Sequence, residues 1–452
     1  MTPENETARD RFIEAAFWHG PLQRAQAILA EHPEIAGSDI HTAAILGDDS
    51  AIRRFLAGDT SLASSKGGPR NVEPLVYVCF SRYLALDPSR SDAFVRAASA
   101  LLDAGANANG GFFDGSHVPR PEWESALYGA AGVAHHAGVT RLLLEHGANP
   151  NDEEVPYHSP ETWENEAFRL LLESGKLNEE SLNMMLLRKT DWHDLEGVKL
   201  VLDHGADVDR MTRWGKTALH NAVLSDNRLA IIELLLDRGA DPTIVARDLR
   251  HGGEFRAGRS SSSLAARRGR ADVLEAIEKR GFALAFEGVD ELIAACARGN
   301  AATAREIAAR DPELVAELTS EGGSLLAEFA GTGNAAGVAL LLELGVPVEA
   351  LYAGDPYFGI AKDSTALHVA AWRASHDVLE LLIARGANVN ARDGKDRTPL
   401  ILAVKACVDS YWAERRSPRS VRALLAAGAR TTGVPYPSGY AEVDALLEPY
   451  VK

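Results

Sequence analysis

Runs of apolar residues at helical spacing recur along the chain, and each ends in a glycine followed by Ala-Asp or Ala-Asn, or by alanine alone in the last copy. Apolar positions three and four residues apart predict a helix with one buried face. Glycine just past a helix is typical of a left-handed turn, which other residues adopt only at a cost. We therefore predict helices that end at the following residues: Gly105, Gly147, Gly205, Gly239, Gly386 and Gly428.

A second, shorter helix is predicted upstream of three of these runs. Threonine favours the N-cap, because its hydroxyl accepts a hydrogen bond from an amide of the first turn, and proline fits the first helical position. We therefore expect Thr217, Thr365 and Thr398 to begin helices. The three copies read Thr217-Ala-Leu-His220, Thr365-Ala-Leu-His368 and Thr398-Pro-Leu-Ile401.

Together the two phrases resemble the ankyrin repeat, which consists of a short inner helix and an outer helix. The best copy spans residues 364–393, with Thr365-Ala-Leu-His-Val-Ala-Ala371 and Gly386-Ala-Asn-Val-Asn390. The glycines at 205 and 239 are 34 positions apart, and those at 105 and 147 are 42 apart. These spacings fit units of about 33 residues with short insertions.

The resemblance implies an all-α fold, an ankyrin-type solenoid of about twelve helix pairs with finger loops, which connect each outer helix to the next inner helix. The chain resembles a long array of the bacterial type, with degenerate repeats and insertions. The resemblance also implies that His220 and His368 are structural, and that the protein binds other proteins without a cofactor.

Five segments are expected along this array. Degenerate, capping repeats occupy residues 1–66, central repeats 67–246, a basic loop insertion 247–262, C-terminal repeats 263–439 and a capping helix 440–452. The terminal units are atypical because only one of their faces is covered by a neighbour.

Composition narrows the possible partners. Of 452 residues, 46% are hydrophobic, and the formal net charge of −17 disfavours nucleic acid and anionic membranes as partners. No apolar stretch is long enough to span a membrane, and the acidic start lacks the features of a signal peptide. Three widely spaced cysteines suggest neither disulfides nor a zinc cluster. We therefore expect a cytoplasmic monomer without a bound metal.

The strongest candidate site is C-terminal, where aromatic and basic residues concentrate. Tyrosine, tryptophan and arginine dominate binding hot spots because they bury large areas or form forked hydrogen bonds. We expect a protein or peptide partner to contact the following residues: Tyr352, Tyr357, Phe358, Trp372, Arg373, Lys405, Asp409, Tyr411, Trp412, Arg415 and Arg416.

Two alternatives stay open for this cluster. Its aromatic residues can instead wedge long loops onto the helices, with the arginines in solvent. The groove between Tyr352 and Arg416 can also hold a small molecule, as part of an enzyme or a small-molecule-binding protein. The sequence contains no recognised catalytic constellation, so we favour non-catalytic binding.

Other features are weaker candidates. In the run from Asp191 to Asp194, two carboxylates flank a histidine and could orient it as a general base. Asp194 is, however, also a candidate N-cap of the following helix. Seven arginines between Arg247 and Arg270 form the one marked basic patch; solvated charge is the default interpretation, and an acidic partner is the alternative. Cys407 lies near the aromatic cluster but has no histidine nearby in sequence to activate it.

Overall fold

The computed structural model describes residues 7–116, 120–247 and 258–450. Helices make up 58% of the structure and strands 4%, so the all-α prediction is confirmed. The chain divides into two units, Met1–Ala240 and Asp241–Lys452. They are called the N-terminal unit and the C-terminal unit below.

The N-terminal unit contains fifteen α-helices in its described part. Short 3-10 turns and one π-helical turn, Gly129–Val133, join some of them. The helices are α1 Ala8–Ala16, α2 Leu22–Glu31, α3 Ile40–Leu46, α4 Asp49–Gly58, α5 Pro74–Cys79, α6 Arg82–Leu86, α7 Ser91–Asp103, α8 Ala126–Tyr128, α9 Ala137–Glu145, α10 Glu154–His158, α11 Glu166–Glu173, α12 Glu179–Asp191, α13 Leu195–Asp203, α14 Ala218–Leu224 and α15 Leu229–Asp237.

These helices form seven pairs that stack in sequence order. The inner helices α1, α3, α5, α8, α10, α12 and α14 each pack on the next. The outer helices α4, α7, α9, α11, α13 and α15 form a second row in the same way, while α2 lies against α1. The third inner segment departs from a single helix, because Ser81 ends α5 and caps α6 by accepting a hydrogen bond from the amide of Tyr83.

One finger of the N-terminal unit is a β-hairpin, where the sequence suggested only a long loop. Its strands are β1 Gly111–Asp114 and β2 Glu122–Ser125. They pair antiparallel, with Phe112 opposite Glu124 and Phe113 opposite Trp123. Aromatic residues at adjacent positions favour a strand whose two faces are both occupied. We call residues 111–116 and 120–125 the finger hairpin.

The C-terminal unit contains twelve α-helices in its described part. They are α16 Ser261–Arg267, α17 Ala271–Glu278, α18 Val289–Ala297, α19 Ala301–Arg310, α20 Pro312–Ser320, α21 Gly322–Thr332, α22 Ala335–Glu343, α23 Ala366–Trp372, α24 His376–Ala384, α25 Pro399–Asp409, α26 Arg419–Ala426 and α27 Ala441–Leu447.

Five pairs, α16–α17, α18–α19, α21–α22, α23–α24 and α25–α26, build this unit. Helix α16 packs on α18, α18 on α22, α21 on α23, and α23 on α25, while α27 lies against α26. Helix α20 is an addition between two pairs, and Pro312 occupies its first turn. With the seven pairs of the N-terminal unit, the described residues contain twelve pairs, which confirms the predicted solenoid of paired helices.

Local chemistry explains where these helices begin and end. The Thr398 hydroxyl caps α25 by accepting a hydrogen bond from the Ile401 amide at 3.3 Å, and Pro399 follows at the first helical position. Gly386, two residues past α24, has a φ of +85°, which glycine adopts without strain. None of the helices in the described ranges is long and apolar enough to cross a bilayer.

Candidate functional site

Arg373 lies at the centre of the C-terminal cluster, between two aromatic rings. Its guanidinium carbon is 4.1 Å from the centroid of the Phe358 ring and 3.8 Å from that of the Trp412 ring. Only 2% of Arg373 is exposed. The three residues come from a finger loop, the end of α23 and the connection between α25 and α26. Arg373 therefore joins three segments of the C-terminal unit.

Trp372 fixes the finger loop of residues 349–362 to α23. Its indole Nε1 donates a hydrogen bond to the carbonyl oxygen of Phe358 at 2.7 Å. Within the loop, the amides and carbonyls of Asp355 and Ile360 pair at 2.8 and 2.9 Å and close a tight turn. On the other side, Lys405 Nζ lies 5.6 Å from the centroid of the Trp372 ring. These contacts tie the loop to α23.

Tyr352, near the start of the same loop, has a buried side chain. Its hydroxyl is 3.1 Å from Glu328 Oε1, and its amide donates to the Ser364 carbonyl at 2.8 Å. Burial, together with the charge of Glu328, raises the pKa of Tyr352 well above its usual value. Tyr352, Ile360 and Val369 form a small apolar core at the base of the loop. Tyr352 is thus placed as an anchor of the loop.

The remaining predicted site residues surround this core. Tyr357 is 51% exposed and Tyr411 is 49% exposed. Lys405 and Asp409 are exposed on α25, while Arg415 and Arg416 are half-buried. We define the C-terminal patch as the full set of eleven residues: Tyr352, Tyr357, Phe358, Trp372, Arg373, Lys405, Asp409, Tyr411, Trp412, Arg415 and Arg416.

The structure brings these residues together, but in two layers. The inner layer is buried and consists of Tyr352, Arg373 and Trp412. Phe358 and Trp372 pack beside these residues and are partly exposed. The two tyrosines and the charged residues lie outside this layer. Arg416 is held at its base, because its Nη2 donates to the Ser410 carbonyl at 2.7 Å.

In two repeats, the Thr–His phrase caps the inner helix: the threonine and histidine of Thr217/His220 and of Thr365/His368 form a capping box. In the best copy, His368 Nδ1 accepts a hydrogen bond from the Thr365 amide at 3.1 Å. The opposite nitrogen, Nε2, therefore donates to the carbonyl oxygens of Ala391 and Arg397, each 3.1 Å away. Burial lowers the pKa of His368, which keeps its ring neutral. The histidine thus links its own repeat to the next one.

Sequence reasoning missed a charged network in the N-terminal unit. His158, on α10, contacts Glu154 Oε2 through Nε2 at 3.1 Å and Glu161 Oε2 through Nδ1 at 2.9 Å. Arg188, on α12, pairs with Glu161 and with Asp191. The spacing of Glu154 and His158 by four residues was the available signal, because such pairs meet on one helical face.

The weaker candidates are structural. Asp194 caps α13, as predicted, by accepting a hydrogen bond from the Gly197 amide at 2.9 Å. Cys407 is buried, and its Sγ lies 3.3 Å from the Ala403 carbonyl oxygen. Burial raises the pKa of Cys407, which leaves the unreactive thiol as its main form. Within the described ranges, no group of three or more His, Cys, Asp or Glu side chains is arranged to hold a metal ion.

The arginines near residue 268 are not solvated, contrary to expectation. Arg267 pairs with Asp290 and with Glu321, in each case at 2.6 Å. Arg268 and Arg270 are also buried, and each pairs with a carboxylate. These residues lie on an inner helix and the turn after it, where packing covers them. Of the predicted basic loop, residues 248–257 lie outside the described residues.

Comparisons with known proteins agree with the helix pairs described above. A family model of ankyrin repeats in three copies matches residues 164–246, and the model of the single ankyrin repeat matches residues 362–394. The chain is 31% identical over 133 residues to an L-asparaginase of Dirofilaria immitis, a match covering 26% of this chain and 21% of that protein. It is 30% identical over 112 residues to an ankyrin repeat protein of Rickettsia bellii, a match covering 23% of this chain and 44% of that protein. The chain thus spans less than half the length of either relative.

Two solved structures are also similar. The human ASB11 ankyrin repeat domain shares 23% identity and aligns with a TM-score of 0.23, over 54% of this chain and 98% of that one. The ankyrin repeat domain of Bcl-3 shares 23% identity and aligns with a TM-score of 0.21, over 53% of this chain and 97% of that one. The repeat motifs, the stacked helix pairs and the two matching family models together show that residues 164–246 and 362–394 of the chain are ankyrin repeats.

Proposed function

We propose that this protein binds a protein or peptide partner through the C-terminal patch, without catalysing a reaction. Ankyrin repeats generally mediate protein–protein interaction. The proposal places the contact on the inner-helix side of the C-terminal unit, where the finger loop of residues 349–362 and the connection between α25 and α26 meet around Arg373.

The proposal rests on two half-exposed tyrosines, Tyr357 and Tyr411, whose rings pack against less exposed aromatic residues. The Tyr357 ring lies 4.8 Å from the Phe358 ring, and the Tyr411 ring lies 5.3 Å from the Trp412 ring. Arg373 stacks between Phe358 and Trp412, so each tyrosine packs on a ring that in turn contacts this buried arginine. Side chains that are already ordered lose little entropy when a partner covers them, and tyrosine is enriched in binding hot spots.

Charged residues around the tyrosines supply orientation. Lys405 and Asp409 carry opposite charges and are both exposed on α25. Arg415 lies with its guanidinium carbon 5.6 Å from the centroid of the Trp412 ring. Charges at the rim of an interface mainly set the association rate and the register of the partner. The tyrosines are therefore expected to supply most of the binding free energy.

The test compares tyrosine variants in binding a partner that has first been identified. The wild-type protein captures proteins from a lysate of its host, mass spectrometry identifies those retained, and calorimetry measures the affinity of each purified candidate. The double variant Tyr357→Ala/Tyr411→Ala should weaken binding at least tenfold, since each truncation of a hot-spot residue costs about 1–2 kcal/mol. Tyr436→Ala is the matched control, because Tyr436 is 45% exposed in the same unit but lies outside the patch. Equal affinity of the wild type and the double variant would reject the patch as the binding site.

The enzyme alternative stays a prediction and has less support. Tyr352 and Cys407 are two residues in the patch region with chemistry suited to proton transfer or nucleophilic attack. Both are buried and hydrogen-bonded within the unit, and burial raises the pKa of each. Their side chains therefore favour the neutral form, which is the weaker nucleophile.

A further inference from the structure

The finger hairpin buries a carboxyl group without a hydrogen-bond partner among the residues that the structure describes. Glu124, on β2, is only 1% exposed, and neither of its carboxyl oxygens accepts a hydrogen bond from a described residue. Its cross-strand neighbour Phe112 lies on the same face of the hairpin. The Phe112 ring packs against Phe80 at 5.2 Å and Trp18 at 5.6 Å. The docked face of the hairpin thus combines an aromatic contact with an unsatisfied acid.

The groups around Glu124 make its charged form still less favourable. Asp114 from β1, Glu122 from β2 and Glu154 from α10 are acidic, and all three oppose a negative charge on Glu124. His158, also on α10, favours that charge, but it is shared with Glu154 and Glu161. The Tyr128 hydroxyl, on α8, also interacts with Glu124: burial and the charge of Glu124 raise the pKa of Tyr128.

A buried carboxylate without a partner is strongly disfavoured, and such a group takes up a proton instead. We propose that the finger hairpin docks more tightly when Glu124 is protonated, so that it acts as an acid-stabilised latch over the inner helices. When the hairpin lifts, the Glu124 carboxyl reaches water and releases one proton to it. The same movement uncovers Phe112 and the rings of Trp18 and Phe80.

The pH range of the latch follows from the two states of Glu124. Burial, followed by the charge of Glu154, raises its pKa in the docked hairpin from 4.5 to about 8. Between these two values the docked state holds the proton and the lifted state does not. Docking therefore weakens by about tenfold for each pH unit gained in this range. Above pH 8 both states are ionised, and the dependence levels off.

Hydrogen exchange of the full-length protein tests the latch. Exchange of the amides of residues 111–116, 120 and 122–125 is measured from pH 5.5 to 9 and corrected for intrinsic exchange, which gives the opening constant of the hairpin. We expect this constant to rise about tenfold per unit up to pH 8 and then to become flat. In Glu124→Gln, the neutral side chain should remove the pH dependence. Glu145→Gln, which changes an exposed carboxylate on α9, should behave as the wild type.

If Glu124→Gln does not fold, a second variant, Glu154→Gln, still tests the proposal. Glu154→Gln removes a negative neighbour, so the pKa of Glu124 falls and the levelling point should move to lower pH. An opening constant independent of pH in the wild type would overturn the proposal. So would an unchanged pH dependence in Glu124→Gln, or an unshifted levelling point in Glu154→Gln.

Discussion

The guanidinium carbon of Arg373 lies 3.8 Å from the centroid of the Trp412 ring, and both side chains are buried. Thirty-nine positions separate them in sequence, and one repeat boundary lies between them. Phe358 covers the opposite face of the guanidinium at 4.1 Å. A cation between two rings is strongest when water is excluded, which is the situation here. This contact packs together the buried residues on which the exposed residues of the C-terminal patch lie.

Replacing Arg373 should therefore destabilise the C-terminal unit. Arg373→Ala removes both ring contacts and leaves a space, so we expect the free energy of unfolding to fall by about 2–4 kcal/mol. Urea unfolding followed by tryptophan fluorescence measures the effect. Arg385→Ala, at an exposed arginine just after α24, serves as the control and should change it by less than about 0.5 kcal/mol. An Arg373→Ala protein as stable as this control would contradict the packing role.

Lys189 gives a comparable prediction for the N-terminal unit. The side chain is fully buried, and its Nζ donates to Thr162 O at 2.6 Å, Asn165 Oδ1 at 2.7 Å and Asp194 Oδ2 at 2.8 Å. Lys189→Met leaves the buried Asp194 charge without its cation. Removal of one partner of a buried ion pair typically costs about 3–5 kcal/mol, and we expect a loss of this size.

The control for Lys189 is an exposed lysine nearby in sequence. Lys199→Met, on the solvent side of α13, should leave the free energy of unfolding within about 0.5 kcal/mol of the wild type. Asp194→Asn added to Lys189→Met should recover part of the loss, because it removes the uncompensated charge. A double variant less stable than the sum of the two single changes would be evidence against the pairing.

The pKa values of two histidines in the N-terminal unit should be shifted in opposite directions from the ordinary value. Burial disfavours the charged form of His158, but hydrogen bonds and charge from Glu154 and Glu161 outweigh it and raise its pKa to about 9. His136 is half-buried, its Nδ1 accepts from the Val139 amide at 3.2 Å, and desolvation outweighs the charge of Asp92 and lowers its pKa. NMR titration of the imidazole protons measures both pKa values.

The raised pKa of His158 makes the stability of the folded protein depend on pH. Because the folded pKa of His158 lies above its ordinary value of 6.5, its contribution is complete below pH 6.5 and is lost as the pH rises through 9. In His158→Gln that part of the pH dependence should vanish. A His158 that titrates below 6.5 would show that the two carboxylates do not hold it as an imidazolium.

The sequence was sufficient for the repeats because their signals are local. A capping threonine, an apolar stripe and a terminal glycine act within one helix or turn, so each can be recognised without knowledge of its neighbours. The same holds for Asp194 as the cap of α13. The concentration of the patch residues in one region also followed from the stacking of consecutive repeats.

Burial could not be predicted in the same way. Whether Arg373 faces water or two rings depends on where the finger loop and the connection between α25 and α26 fold back, which no local pattern encodes. The unpartnered Glu124 depends on the hairpin that carries it and on α10, two segments about thirty residues apart. The ion pairs of Arg267 likewise depend on Glu321, 54 positions away in sequence.

Photo-crosslinking tests the central claim most directly. A benzophenone amino acid is placed at Tyr357, at Tyr411 or, as the control, at Tyr436, and each protein is irradiated with its captured partner. The account predicts covalent adducts from positions 357 and 411 and none from position 436. Adducts from position 436 alone, or a retained partner that crosslinks to neither 357 nor 411, would contradict it.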